Sequence, residues 1–402
     1  MGSPERVAVV GAGAVGLTTA YDLASRGAQV TLFERDEPGS GMTDRAAGIC
    51  YDAYAEDIDV SVADRAMDRF RSLSGDGEFV FHETPYVFLA REGDESAATA
   101  LTESVERMRV HDRDVSLVDT AELGERFPIR TDDIALAGVA ENAGWADPVA
   151  YVDLFVEKCE RAGVEFRVGD EVAVRAEPPT VVVTDELSAR FDAVVVAAGI
   201  DSRCLLADAG YLIALKPYRA QALVGECDYR GPIVYDATDG SYLRPHPAGV
   251  LAGDGVEAVE ADSDDWDPAA DDWFIEDALD TARHRTKLDP ELGRAWAGLC
   301  GSTPDNNPLV GEVVDGVYVA TGWHGHGFMW APAMGESLAE AVLGDGRGSI
   351  PKAFDPSRFD GDESFTVVEG MTLDGEGDDG DSDVGDGDND DNDDNDGSDD
   401  GC

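Results

Sequence analysis

The glycine-rich turn after the first predicted strand constrains the fold of this chain more than any other feature. Residues 6–36, RVAVVGAGAVGLTTAYDLASRGAQVTLFERD, read as strand, turn, helix and strand, because a valine run is followed by apolar residues at helical spacing and then by QVTLFE. In a G-x-G-x-x-G turn, the first glycine permits the tight bend, the second lets backbone approach a pyrophosphate, and the third lets helix and strand pack closely. The segment therefore predicts a dinucleotide site at a helix N-terminus. The turn consists of Gly11, Ala12, Gly13, Ala14, Val15 and Gly16.

An acidic residue ends the second predicted strand. Glu34 stands where its carboxylate can accept hydrogen bonds from ribose hydroxyls. The small-residue segment PGSGMTDRAAGI follows, and an extended segment of this kind can run beneath a flavin ring, with Arg45 as its one strong donor. The alternative is that Arg45 is an ordinary surface arginine. Besides Glu34, the cofactor contacts that we assign in this region are Arg35, Thr43, Arg45, Ala47 and Gly48.

Two later apolar runs look like buried parallel strands, FDAVVVAAG at 191–199 and GVYVATG at 316–322. Segments of nucleotide-binding character thus occur near both ends of the chain. We therefore expect a mixed α/β fold with a discontinuous, Rossmann-like cofactor domain and an inserted β-rich substrate domain. The expected cofactor domain comprises residues 1–85, 145–215 and 296–350, the substrate domain residues 86–144 and 216–295, and a disordered acidic tail residues 361–402.

Acidic residues dominate the charge of the chain. The 85 Asp and Glu residues outnumber the 30 Lys and Arg residues and give a net charge of −55. Such a surface repels nucleic acid and anionic membranes, and it repels itself unless salt screens it. We therefore expect a protein of a hypersaline cytoplasm, without a nucleic-acid partner.

Neither a membrane segment nor a metal motif is evident in the sequence. No apolar run approaches the roughly 20 residues of a membrane-spanning helix, and MGSPER leads directly into a strand without a signal peptide. The six cysteines form no Cys-x-x-Cys pair, so neither a zinc site nor a disulfide framework is indicated. We expect a cytoplasmic protein with no membrane insertion and no metal, and a homo-oligomer remains open.

Five segments in one order resemble the FAD-dependent amino acid and amine oxidoreductases related to D-amino acid oxidase, glycine oxidase and monomeric sarcosine oxidase. The resemblance covers roughly residues 5–345. It implies an FAD domain, a substrate domain on a mixed sheet, and oxidation of a C–N bond of an amino acid or amine by hydride transfer to flavin N5, with oxygen or a redox carrier as acceptor. The segments are the N-terminal glycine motif, GWADPVAYVDLF, FDAVVVAAGIDS, GSYLRPHPAGVLAGD, and the pair WAGLCGSTPDNNPLVGEV and GVYVATGWHGHGFMWAPAMGESLAEAVL.

Two histidines lie in the glycine-rich loop GWHGHGF. In the family that the chain resembles, this loop crosses the flavin ring, and a helix then begins, here near Pro332. The resemblance implies that His326, within Gly-His-Gly, donates to the flavin or orders the loop, whereas His324 is expected to be incidental. A metal pair is disfavoured because no carboxylate or cysteine lies in the segment. The implied cofactor contacts here and after the 191–199 strand are Ala198, Gly199, Gly322, Gly325, His326, Gly327 and Phe328.

The predicted strand SYLRPH carries the candidate substrate residues. Tyr242, Arg244 and His246 occur at i, i+2 and i+4, so all three project from one face if this segment is a strand. Tyr242 matches a position where amino acid oxidases bind the substrate carboxylate, and the alternative is a tyrosine packed at a domain boundary. We therefore take Tyr242, Arg244 and His326 as the candidate catalytic residues.

Three positions depart from the family pattern. Cys300 stands where the resemblance implies a carboxylate-binding arginine, and a cysteine cannot form a bidentate pair with a carboxylate. Met329 stands where sarcosine-oxidase relatives carry a lysine, and Gly298 where they attach FAD through a cysteine. We therefore expect non-covalent FAD. Either Arg244 or Arg45 replaces the missing anchor, or the substrate is an amine without a carboxylate.

These departures leave a second hypothesis open. The chain could be a flavin-binding subunit with a degenerate substrate pocket, acting within a larger oxidoreductase complex. A dehydrogenase that passes electrons to a carrier is equally compatible with the sequence.

Overall fold

The computed structural model of the protein describes residues 5–175, 181–183, 188–253, 255–344 and 350–368. In chain order, the strands are β1 (Arg6–Val10), β2 (Gln29–Glu34), β3 (Ile49–Tyr51), β4 (Phe81–Glu83), β5 (Tyr86–Arg91), β6 (Val115–Val118), β7 (Ile134–Ala140), β8 (Ala143–Ala146), β9 (Glu165–Val168), β10 (Ala173–Arg175), β11 (Val181–Val183), β12 (Ser188–Arg190), β13 (Ala193–Val196), β14 (Lys216–Glu226), β15 (Ile233–Asp236), β16 (Tyr242–His246), β17 (Gly249–Gly253), β18 (Glu291–Ser302), β19 (Leu309–Val314) and β20 (Val317–Thr321). The α-helices are α1 (Ala14–Ser25), α2 (Asp57–Leu73), α3 (Glu95–Val110), α4 (Thr120–Arg126), α5 (Pro148–Ala162), α6 (Ser202–Asp208), α7 (Asp272–Thr286) and α8 (Gly327–Leu343).

A six-stranded sheet with the order β19-β20-β13-β1-β2-β9 forms the first layer. Its strands are parallel except for β19, which pairs antiparallel with β20. Both faces of β1 are covered, since Val7 and Val9 pack in one apolar cluster and Ala8 and Val10 in another. This burial on two faces explains the continuous apolar run of β1, and the expected Rossmann-like α/β fold is confirmed.

An eight-stranded sheet with the order β18-β14-β17-β16-β15-β5-β7-β6 forms the second layer. It is antiparallel except between β15 and β5. Its longest ladder joins β14 to β18 over Lys216–Glu226 and Glu291–Ser302. The expected domain boundary at residue 296 therefore falls within β18, and the whole of that strand pairs with β14. The remaining small sheets are β3-β8-β4 and β10-β11-β12.

Helix α8 begins earlier than the sequence suggested. It starts at Gly327, and Pro332 lies inside it. A proline inside a helix removes one backbone hydrogen bond and crowds the carbonyl four residues before it. The expectation of a helix start near Pro332 is therefore corrected, and the first turn of α8 follows the glycine-rich loop directly.

A segment that we call the C-terminal strap, residues 350–368, lies against β19 of the six-stranded sheet and against Ser302 at the end of β18. Phe354 and Val367 are buried in it, and Lys216 Nζ donates to the Phe365 carbonyl at 2.9 Å. The predicted disordered tail was thus placed too early, because residues 361–368 include apolar side chains that pack. The rest of that predicted tail, residues 369–402, lies outside the described residues. In the described part of the chain, no helix has both the length and the apolarity to cross a membrane.

Candidate active site

A cavity of about 760 Å³ lies between the carboxyl ends of the parallel strands and one face of the eight-stranded sheet. Its volume is within the range of about 300–1,000 Å³ typical of ligand pockets, and ligands of open α/β sheets bind at this edge. The structure brings most of the predicted site residues together here. Those that line the cavity are Gly11, Gly13, Ala14, Val15, Glu34, Arg35, Thr43, Arg45, Ala47, Ala198, Gly199, Tyr242, Gly322, Gly325, Gly327 and Phe328. The predicted residues outside the lining are Ala12, Gly16, Gly48, Arg244 and His326.

The three motif glycines serve different purposes. Gly11 has φ +103°, and a Cβ there would lie 2.5 Å from the Ala197 carbonyl oxygen. A Cβ at Gly16 would lie 2.0 Å from the Gly11 carbonyl oxygen. Gly13 differs, since a Cβ there would meet only the Thr43 hydroxyl, at 3.2 Å. The first and third glycines therefore close the turn, and the second faces the cavity where a phosphate would approach.

Glu34 is held at the end of β2 by backbone donors. Its carboxylate accepts from the Ala12 amide at 2.7 Å and from the Asp36 amide at 3.1 Å. A carboxylate has about four acceptor sites, so acceptor capacity remains for ribose hydroxyls. Next to it, Arg35 forms an ion pair at 3.0 Å with Asp201, which also lines the cavity.

The segment after β2 lies over the inner face of the second sheet. Thr43 Oγ1 accepts from the Ala14 amide at 3.1 Å, in the first turn of α1. Arg45 Nη1 donates to the carbonyls of Ser40 and Gly41 at 3.0 and 3.1 Å, and its Cδ would stand 3.2 Å from a Cβ at Gly298. The Arg45 stem therefore occupies the space that a side chain at residue 298 would fill.

Gly48 is a packing residue. It has φ +69°, and a Cβ there would lie 2.1 Å from the Ala146 carbonyl oxygen. Its expected contact with the cofactor is thus replaced by close packing against β8.

The two histidines of the glycine-rich loop have positions opposite to those expected. His324 lines the cavity, and its Nε2 accepts from the Thr303 amide at 2.9 Å. Burial lowers the pKa of His324 to about 4, so the ring is neutral. The expectation that His324 is incidental is therefore wrong, because its imidazole joins the loop to the segment after β18.

His326 points away from the cavity into an aromatic core. Its Nε2 lies 3.3 Å from Tyr51 Oη, and its ring stacks on Trp330 with centroids 5.6 Å apart. Burial lowers its pKa to about 4 as well. His326 is the N-cap residue of α8, and its side chain is directed inward. This position does not support donation from the imidazole to a flavin. It is consistent with the other expected role of His326, which is to order the loop.

The first turn of α8 faces the cavity at Gly327 and Phe328. The first backbone N–H groups of a helix have no partner within that helix, and they carry the positive end of its dipole. The preceding Gly325 has φ +82° and nothing within 4 Å of a would-be Cβ. This end of the cavity therefore suits a ligand edge that bears negative charge.

Three cross-strand pairs of β14 and β18 form the opposite wall. Because side chains alternate along a strand, every second residue in this part of β14 and of β18 faces the cavity. Tyr242 of β16 lies on the same wall. Burial raises the pKa of the Cys300 thiol to about 11, although a hydrogen bond with Tyr218 opposes this shift. The sequence interpretation missed Tyr218 and Trp296, which the alternation in KPYRAQA and RAWAGLC could have indicated. The pairs are Tyr218 with Cys300, Ala220 with Gly298, and Ala222 with Trp296.

Arg244 does not reach this wall. It is 3% exposed, and its guanidinium donates to the carbonyls of Ala47 and, at 2.7 Å, Pro245. Burial lowers its pKa to about 10. The expectation that Arg244 stands beside Tyr242 at the substrate is corrected, because two residues along a strand move a side chain by about 6.6 Å, here beyond the cavity.

Met329, another of the three departures from the family pattern, is also buried away from the cavity. The Tyr54 hydroxyl lies 2.9 Å from its sulfur. Among the side chains that the structure describes, no group of three or more His, Cys, Asp or Glu residues is arranged to hold a metal ion.

Comparisons with known proteins agree with this geometry. Glycine oxidase of Pseudomonas aeruginosa is 29% identical over 370 residues, covering 85% of this chain and 95% of that protein. The uncharacterized oxidoreductase YurR of Bacillus subtilis is 28% identical over 369 residues, covering 84% and 94%. The crystal structure of L-proline dehydrogenase from P. horikoshii superposes with a TM-score of 0.80 at 26% identity, covering 89% and 98%.

The sequence profile of a single family extends over both layers of the molecule. The family is described as DAO, FAD dependent oxidoreductase, and it matches residues 6–341, from the first residue of β1 to the last turns of α8. This span includes the glycine turn, the cavity wall and the histidine loop. The chain therefore belongs to the DAO family of FAD-dependent oxidoreductases, and it is an enzyme with FAD as its cofactor.

Proposed function

We propose that the protein holds FAD non-covalently in the 760 Å³ cavity and oxidises a C–N bond of an amino acid or a primary or secondary amine. Bound FAD supplies the chemistry of hydride acceptance. The observation that carries the proposal is the continuity of one cavity, from Glu34 and the glycine turn, past the first turn of α8, to the wall of Tyr218, Trp296 and Tyr242.

The residues of the cavity fit this cofactor. Glu34 retains acceptor capacity for ribose hydroxyls, and Gly13 leaves room for a pyrophosphate at the start of α1. The N–H groups of Gly327 and Phe328 belong to the first turn of α8, at the cavity, and have no partner within that helix. They suit the edge of a flavin that becomes negative on reduction.

Cys300 supports the non-covalent attachment. Burial raises the pKa of this thiol to about 11, so the nucleophilic thiolate is scarce at neutral pH. Denaturation of the yellow protein should therefore release free FAD. Flavin that remains attached to the denatured chain would contradict this part of the proposal.

The aromatic wall positions the substrate and keeps water out. Tyr218 is 2% exposed, and Trp296 is 8% exposed with its Nε1 donating to the Arg45 carbonyl at 3.0 Å. A dry site that places the reacting carbon correctly supplies most of the assistance that hydride transfer needs, without an obligatory protein base.

The cations of the cavity limit the choice of substrate anchor. Among the described residues that line it, the arginines are Arg35 and Arg45. Because Arg35 pairs with Asp201 at the opposite end, we propose Arg45, with the Tyr218 and Tyr242 hydroxyls, as the group that meets a substrate carboxylate. The names glycine oxidase and L-proline dehydrogenase, given to two similar proteins, support an amino acid substrate.

The test is anaerobic mixing of the pure holo-protein, at high salt, with glycine, sarcosine, proline and matched amines that lack a carboxylate. Bleaching of the flavin absorption by one of them supports the proposal. Reoxidation by air or only by an added carrier then separates oxidase from dehydrogenase. If no amine bleaches the flavin of the lone chain but a cell extract does, a flavin-binding subunit of a larger complex becomes the better description.

A further inference from the structure

The two histidines of the glycine-rich loop are each connected to the C-terminal strap through intermediate groups. His324 is reached through the segment between β18 and β19, and His326 through the first turn of α8. The strap lies beyond residue 341, where the family match ends.

The first connection begins at Arg358, whose guanidinium forms a bidentate ion pair with Asp305 at 2.8 Å for both bonds. The same side chain donates to the Asn307 carbonyl at 2.7 Å. Thr303 Oγ1 donates to that Asn307 carbonyl, also at 2.7 Å. The Thr303 amide then donates to His324 Nε2 at 2.9 Å.

The second connection is a stack of three rings. Phe354 of the strap, fully buried, stacks on Trp330 with centroids 5.8 Å apart and an interplanar angle of 19°. Trp330 stacks on His326 at 5.6 Å and 22°. Because His326 is the N-cap residue of α8, this stack contacts the end of the helix that faces the cavity.

The glycine-rich loop that contains both histidines has a strained backbone that contacts of this kind can restrain. His324 has φ +47°, a left-handed conformation that is unfavourable for a non-glycine residue. Its own amide is held by the Gly301 carbonyl at 3.0 Å. Strained residues persist only where the surroundings restrain them, and the contacts that restrain the His324 ring run to the strap.

We propose that the C-terminal strap, through Arg358 and Phe354, positions His324 and His326 and thereby sets the conformation of the loop that borders the FAD cavity. Arg358 and Phe354 are positioning residues, since neither lines the cavity. The inference rests on the cofactor being FAD and is independent of which amine is oxidised.

The test is titration of the apo-protein of full length with FAD, followed by the visible absorption and circular dichroism of the bound flavin. Arg358→Gln should raise the FAD dissociation constant about tenfold, within the range of such couplings, and alter the flavin spectrum. Asp305→Asn, from the other side of the ion pair, should give the same change, and the double variant should add little to either. Arg358→Lys, which keeps the charge but not the fork, should restore part of the affinity.

Arg126→Gln is the control, because Arg126, the last residue of α4, forms an ion pair with Glu141, the residue after β7, at 2.6 Å and away from the strap. Its FAD affinity should remain within about twofold of wild type. Phe354→Leu tests the ring stack separately. If Arg358→Gln and Asp305→Asn lower the melting temperature but leave FAD affinity and spectrum unchanged, the strap only stabilises the fold and the inference fails. A wild type that binds FAD but is reduced by no amine would contradict the proposed reaction alone.

Discussion

The guanidinium carbon of Arg244 lies 4.7 Å from the centre of the Trp145 ring. This contact joins β16 of the large sheet to β8 of a small one, and the same guanidinium donates to the Ala47 carbonyl of the segment that borders the cavity. Arg244 thus ties together three parts of the chain behind the cavity wall.

We predict that Arg244→Met acts mainly on stability. The carbonyls of Ala47 and Pro245 lose a charged donor. Each group left unsatisfied lowers the unfolding free energy by about 1–3 kcal/mol. Arg45→Met should instead leave the melting temperature nearly unchanged and lower kcat/KM for an amino acid substrate at least about tenfold, or about 1.4 kcal/mol. Thermal unfolding and steady-state kinetics of both variants measure this contrast. A kinetic defect of Arg244→Met at unchanged stability would show that Arg244 reaches the substrate after all.

Replacing Glu34 by glutamine should weaken FAD binding without unfolding the protein. The amide oxygen can still accept from the Ala12 amide, but the charge that strengthens hydrogen bonds to ribose is lost. We expect the FAD dissociation constant to rise about tenfold, since hydrogen bonds to charged groups contribute roughly 1.5–3 kcal/mol. Glu37→Gln, an exposed neighbour, is the control in the same titration. Equal affinity of Glu34→Gln and wild type would remove Glu34 from the site.

The first two motif glycines should respond differently to alanine. Gly11→Ala forces a Cβ to 2.5 Å from the Ala197 carbonyl at φ +103°, and we expect a loss of about 3 kcal/mol or more in unfolding free energy. Gly13→Ala meets only the Thr43 hydroxyl at 3.2 Å, so stability should change little while FAD affinity falls. Denaturant titration and FAD titration of the two variants separate these effects. A Gly13→Ala protein with full affinity would argue against a pyrophosphate at this turn.

The histidine loop should make stability depend on mildly acidic pH. Burial lowers the pKa of His324 and His326 from 6.5 to about 4, so between these values the unfolded chain binds more protons than the folded one. The unfolding free energy therefore falls as pH decreases through this window, by up to about 1.4 kcal/mol per pH unit for each histidine.

Many carboxylates titrate in the same range, so the measurement is the difference between wild type and a variant at constant salt. His324→Gln keeps an acceptor near the Thr303 amide and should flatten the pH dependence. Identical slopes for wild type and His324→Gln would mean that His324 is not held neutral by the fold.

Local pattern was sufficient for the elements that lie close together in the chain. The run QVTLFE coincides with β2, and PVAYVDLFVEKCERAG coincides with α5, which ends at Gly163 in a left-handed conformation of φ +84°. The glycine turn and Glu34 were likewise readable, because turn, helix and strand are neighbours in sequence and their spacing reflects backbone geometry alone.

The substrate wall depended on contacts between distant segments. Alternation in β16 shows that Tyr242 and Arg244 share a face, but it carries no information on where the cavity ends along that strand. The pairing of Tyr218 with Cys300 arises from the register between β14 and β18, which are separated by a long stretch of chain.

Thus the sequence by itself determined the family, the cofactor domain and the position of the phosphate-binding turn, since these rest on short-range backbone requirements. Only the tertiary structure decided which histidine borders the cavity, that Arg244 is a structural cation, and that the C-terminal strap packs. Each of these depends on which buried surface a side chain meets, and burial is a property of the assembled layers and not of local spacing.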